Sequence, residues 1–105
     1  KHTDRSIKRI AIIGAGNGGC AAAVEYTLAG FEVRLYGRSP STIAPIIARG
    51  GLEYEGVFGE GFVALEQVST SAEAAMRDAD LVLIIGANVV KGRRAEQFFD
   101  MLGVI

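Results

Sequence analysis

Residues Ile10-Ala11-Ile12-Ile13-Gly14-Ala15-Gly16-Asn17-Gly18-Gly19 constrain this chain more than any other stretch. A short apolar, strand-forming run enters glycines at 14, 16 and 19, and a small-residue helical pattern starts at once. This is G-x-G-x-x-G between a strand and a helix, the arrangement that seats a dinucleotide pyrophosphate. Gly14 permits the tight turn off the strand. Gly16 removes the Cβ that would keep backbone N–H groups away from phosphate. Gly19 lets the helix lie close against the strand. The phosphates then meet the helix N-terminus, where unpaired N–H groups and the helix dipole favour negative charge. A plain glycine-rich turn is the alternative, but the strand before it and the helix after it favour the nucleotide.

Length sharpens this. A chain of 105 residues is one domain by the usual size of about 100–200 residues. It has room for one of the two βαβαβ halves of a complete dinucleotide fold. The expectation is a Rossmann-type, doubly wound α/β domain over residues 1–105, with a mainly parallel sheet and an inserted β-hairpin. Such a half is either a piece of a larger enzyme, lacking its substrate domain, or a unit that pairs with something. The 50% apolar content suits a buried parallel sheet. A net charge of −1 gives no basic footprint, so no nucleic-acid partner is expected. No apolar run reaches the ~18 residues of a membrane span, and no secretory signal is seen. One cysteine allows no internal disulfide, in keeping with a cytoplasmic location. The only histidine, His2, lies in the polar segment Lys1–Ser6 and is assigned no role.

Taken in order, the pattern predicts a strand over Lys8–Ile13 and a helix over Asn17–Ala29 closed by Gly30. That helix is apolar on more than one face, as beside a sheet and a ligand. Cys20 lies in its first turn, where a thiolate could be stabilised, but it reads better as a small core residue. A second strand covers Phe31–Tyr36, with Phe31, Val33 and Leu35 on one face. In the NAD-type fingerprint a carboxylate ends this strand to hold the ribose 2′-hydroxyl. Here Gly37-Arg38-Ser39 stands in its place. The missing carboxylate removes repulsion against a 2′-phosphate, Arg38 offers a charged planar donor and Ser39 a hydroxyl. NADP(H) is therefore favoured over NAD(H), and FAD is disfavoured.

Ser41 or Thr42 is expected to cap a second helix over Thr42–Arg49, with Pro45 in its first turn and Gly50-Gly51 after it. Leu52–Glu55 and Phe62–Leu65 read as a glycine-looped hairpin. A short strand follows at Gln67–Ser69. Thr70-Ser71-Ala72-Glu73 reads as a capping box opening a helix to Arg77. Leu81–Ile85 is a strand buried on both faces. Gly86, Ala87 and Asn88 follow at its carboxyl end, the ligand side of such a sheet. Small residues there admit a ribose or nicotinamide, and Asn88 is either a hydrogen-bonding contact or a turn residue. Lys91–Leu102 reads as a last helix, with Val104-Ile105 as the stub of another strand. A sheet ending at its fourth parallel strand would leave an open apolar edge, so a homo-oligomer is expected.

These residues resemble the N-terminal domain of the octopine/nopaline (opine) dehydrogenase family. Gly14-Ala15-Gly16-Asn17-Gly18-Gly19, Val33-Arg34-Leu35-Tyr36, Gly50-Gly51-Leu52-Glu53-Tyr54-Glu55-Gly56 and Ala79-Asp80-Leu81-Val82-Leu83-Ile84-Ile85 carry the likeness. Much of it is shared with ketopantoate reductase and glycerol-3-phosphate dehydrogenase. The resemblance implies NAD(P)H-dependent reduction of an imine formed from an amino acid and a 2-oxo acid. It also implies that the catalytic histidine and the substrate contacts lie on a C-terminal helical domain. After Ile85 the chain departs from the family, which usually continues with a proline-containing segment. On this reading the cofactor-binding residues are Gly14, Gly16, Asn17, Gly18, Gly19, Arg38, Ser39, Gly86, Ala87 and Asn88. No catalytic residue or metal ligand is assigned within the chain. A nucleotide-sensing module without catalysis is the reading from another class.

Overall fold

The opening apolar run becomes β1 (Arg9–Ile13), and its central Ile10, Ala11 and Ile12 are buried. After it come α1 (Asn17–Leu28), β2 (Glu32–Tyr36), α2 (Pro40–Arg49), β3 (Gly51–Gly56) and β4 (Gly59–Ala64). The chain continues with β5 (Gln67–Ser69), α3 (Ala72–Met76), β6 (Leu81–Ile85) and β7 (Val90–Arg93). This computed structural model describes residues 7–56, 59–85 and the strand 90–93. Lys1–Ser6 with His2, the expected contacts Gly86, Ala87 and Asn88, residues 94–102 of the expected last helix, and Val104-Ile105 lie outside the described residues.

The main sheet has the order β5-β2-β1-β6-β7. β1 pairs in parallel with β2 and β6, and β5 adds in parallel to β2, whereas β7 runs antiparallel to β6. β3 and β4 form a separate antiparallel hairpin. The architecture is a Rossmann-type α/β fold with an inserted hairpin, as the sequence predicts.

Alternation along the strands divides the core between the two faces of the sheet. Ile10 and Ile12 point with Val33 and Leu35 toward Ala23 and Val24 of α1 and toward Val63 and Leu65 around the hairpin. Ala11 points the other way, with Val82, onto Met76 and Ala79. The largest fully buried side chains are Ile10, Ile12, Leu35, Ile43, Val33 and Val82. Burying each stabilises by about 1.5–3 kcal/mol. Exposed ion pairs such as Arg9–Glu32 and Arg77–Glu73 contribute about 0–1 kcal/mol each. The apolar layers therefore hold the sheet together.

Several local expectations change. α2 begins at Pro40, with Ser39 rather than Ser41 or Thr42 as its N-cap. Proline suits the first helical position because its missing N–H is not needed there, so the helix starts earlier and Pro45 falls inside it. α3 is capped by Ser71, whose hydroxyl accepts from the Ala74 N–H at 3.1 Å, and not by Thr70. Lys91, Gly92 and Arg93 belong to β7 rather than to a helix, because pairing with Ile84, Leu83 and Val82 overrides the local preference. β7 also occupies the edge of β6 that the sequence leaves open, so β7 and not β6 ends the sheet on that side.

Candidate dinucleotide-binding site

The turn after β1 is built by four glycines under different pressures. Gly14 has φ +127°, its N–H donates to the Tyr36 carbonyl at 2.9 Å, and an added Cβ would lie 2.3 Å from the Ile85 carbonyl oxygen. Gly19 is buried, and its Cβ would fall 1.7 Å from the Gly14 carbonyl oxygen. Both are demanded by the fold: a side chain at either would push α1 or β6 off β1. Gly18 is less constrained, with Ile85 Cγ2 3.2 Å from the place of its Cβ.

Gly16 differs. It is the N-cap of α1 with φ −77° and ψ −168°, a conformation open to any residue. It is exposed, and nothing lies within 4 Å of where its Cβ would be. The protein makes no demand for glycine here, and the space beside it is clear. Asn17 and Gly18 are exposed as well. α1 has no side-chain cap and no acidic residue in its first turn. The first N–H groups of a helix have no intrahelical acceptor. Their exposure in a turn without carboxylates suits an anionic ligand.

The second wall comes from the end of β2 and the start of α2. Gly37 is buried, and a Cβ there would press on Ile43 Cδ1 at 2.6 Å and on Ala15 Cβ at 2.9 Å. That close approach brings the β2–α2 junction against the glycine turn. A cleft of about 280 Å³ results, lined by Gly14, Ala15, Gly16, Gly37, Arg38, Ser39 and Thr42. The structure thus gathers Gly14, Gly16, Arg38 and Ser39 around one space, with Asn17, Gly18 and Gly19 in the adjoining helical turn. Gly86, Ala87 and Asn88 are outside the described residues. Sequence reasoning passed over Ala15, Gly37 and Thr42 as site residues. The available signal for Thr42 was its hydroxyl three residues after Ser39, one helical turn along the same face.

The cleft's electrostatics are one-sided. Arg38 is exposed and has no carboxylate partner among the described residues, and no acidic side chain lines the space. Two other clefts, of about 690 and 310 Å³, lie against the hairpin and are lined in part by Glu53 and Glu55. Their carboxylates oppose phosphate. Cys20 is half-buried, its Sγ donates to the Ala15 carbonyl at 3.4 Å, and burial pushes its thiol pKa up. It is a packing residue of the turn and not a stabilised thiolate.

Fold and turn together define an NAD(P)-binding domain of the oxidoreductase type. The family model for ketopantoate reductase PanE/ApbA matches residues 10–96, and the chain belongs to that family. No curated protein and no solved structure matches it. Among the described residues no helix is long and apolar enough to cross a membrane.

Proposed function

We propose that this chain is the cofactor-binding part of an NADPH-dependent reductase acting on a small 2-oxo acid or a compound made from one. The observation that carries this is Gly16: a glycine the fold does not require, exposed at an uncapped helix start and opening onto a cleft without carboxylates. Backbone N–H groups of residues 16–19 hold the diphosphate. Arg38 and Ser39 receive the ribose 2′-phosphate, which selects NADP over NAD. A bound reduced dinucleotide supplies the hydride. The chain's part is to bind and orient it, with the nicotinamide end directed toward Gly86, Ala87 and Asn88. The opine resemblance puts the substrate pocket and the proton donor on a further domain; among the described residues no acidic side chain lines the cleft.

Membership of the ketopantoate reductase family supports reduction of a ketone to a hydroxy acid. The Asn17-Gly18-Gly19 form and the Gly50–Gly56 segment support the opine reading, in which an imine is reduced. The test has two stages. Titration of this chain should show NADPH binding more tightly than NADH; equal or reversed preference rejects the Arg38–Ser39 assignment. No binding of either dinucleotide rejects the whole reading. The full reading frame is then assayed with NADPH and either ketopantoate alone or paired amino acids and 2-oxo acids. Turnover with only one set decides between the reactions, and binding without turnover in the complete protein supports the nucleotide-sensing alternative. We also propose self-association, through surfaces bearing Leu28, Ile47 and Phe62, which stay exposed. A monodisperse monomer in sedimentation at high concentration would reject it.

A further inference from the structure

We infer that Thr42 is a specificity-determining residue of this cleft, its hydroxyl completing the seat for a 2′-phosphate beside Arg38 and Ser39. The inference rests on the dinucleotide reading above and extends it to a side chain inside α2. Thr42 lines the cleft together with Gly14, Ala15 and Gly16 on one side and Gly37, Arg38 and Ser39 on the other. It is the third residue of α2, three residues after the N-cap Ser39, and both residues line the cleft. Thr42 is exposed, and its hydroxyl makes no hydrogen bond to another described residue. Its backbone N–H is already satisfied by the Ser39 carbonyl at 3.1 Å.

The neighbouring hydroxyls are arranged differently from an ordinary helix start. An N-cap serine usually accepts from the second or third N–H of its helix. Ser39 makes no such bond; its Oγ lies 3.0 Å from Ser41 Oγ. Thr42 is left as the hydroxyl on the cleft side with no competing partner among the described residues. A phosphate monoester has three strong acceptor oxygens. The guanidinium of Arg38 and one serine leave room for a further donor, and a dinucleotide lacking the 2′-phosphate offers only a neutral 2′-hydroxyl there, a weaker acceptor.

The test compares NADPH and NADH affinities of the 105-residue chain and three variants by fluorescence titration. Thr42→Val keeps the shape and removes the hydroxyl. It should weaken NADPH about 10- to 150-fold, the range of a hydrogen bond to a charged group, and leave NADH within about twofold. Thr42→Ser should restore NADPH binding. Thr42→Asp is the sharper variant, because a carboxylate in the first turn favours the helix while repelling a 2′-phosphate. It should lose NADPH by more than the valine variant, keep NADH, and melt no lower than the parent. Equal loss of both dinucleotides, or no loss of NADPH in either the valine or the aspartate variant, overturns the role of Thr42. A parent chain that binds NADPH in that experiment leaves the dinucleotide reading standing; a parent that binds neither nucleotide overturns both.

Discussion

The two ends of β1 are made of the same backbone but leave it in opposite states. At the amino end the backbone N–H groups of Lys8, Arg9 and Asp80 are all engaged. Asp80 Oδ2 accepts from the Lys8 and Arg9 N–H groups at 2.8 and 2.9 Å, and the Asp80 N–H donates back to the Arg9 carbonyl at 2.9 Å. The Arg9 guanidinium bonds Glu32 at 2.8 Å, and Glu66 lies 3.6 Å away, itself 2.9 Å from Arg34. At the carboxyl end the chain opens into glycines, α1 starts without a side-chain cap, and Arg38 stands without a described carboxylate partner. One end closes its own hydrogen bonds. The other starts a helix with no side-chain acceptor for its first N–H groups. Stability and binding are thus separated along a five-residue strand, and substitutions at the two ends should move different observables.

The largest effect should come where the separation breaks down. Gly19 lies at the binding end but is packed like a core residue. With a Cβ 1.7 Å from the Gly14 carbonyl oxygen, Gly19→Ala should destabilise the chain by about 3 kcal/mol, at the upper end of overpacking costs. Thermal melting should show this before any ligand is added; an unchanged melting temperature would contradict the packing described for the turn.

Gly16→Ala should act in the opposite sense. Alanine can adopt the backbone conformation of Gly16, so stability should stay within about 0.5 kcal/mol. The new methyl group occupies the space next to the exposed N–H groups, and NADPH affinity should fall about 30-fold, near 2 kcal/mol. A variant that melts normally and binds normally would remove the main support for the diphosphate seat.

The smallest effect belongs to the amino end. Asp80→Ala should cost about 1–2 kcal/mol, since it removes two hydrogen bonds to a partly exposed carboxylate, and should leave NADPH affinity unchanged. The N–H groups of Arg9 and Lys8 hold the Asp80 carboxyl below its usual range. Its stabilisation is complete above the unfolded carboxylate pKa, about 4, and is lost as pH falls through the lower folded value. Parent and variant should therefore converge in stability under acid, and not on the alkaline side. A gap that persists well below that range would count against the clamp.

Much of this was legible in the residues. The Ile10–Ile13 and Leu81–Ile85 runs are long and apolar enough to mark buried strands, and the spacing of Gly14, Gly16 and Gly19 marks the turn between strand and helix. What was not legible depended on partners distant in sequence. Lys91 to Arg93 carry helix-compatible residues, yet β6 recruits them as a strand. The cap of α2 shifted to Ser39 because Pro40 tolerates the first helical position. Thr42 and Gly37 escaped notice as wall residues because the cleft exists only where the β2–α2 junction crosses the glycine turn. That crossing is set by the contact of Gly37 with Ile43 and Ala15.

The tip of β6 has a wider bearing. The Ile85 carbonyl sits where a Gly14 side chain would be, and Ile85 Cγ2 approaches Gly18. Residue 85 is thus a buttress of the turn between β1 and α1. Mechanically, the glycine turn is braced from the neighbouring strand by one corner. A shift of that corner would disturb the turn with none of the residues lining the cleft altered.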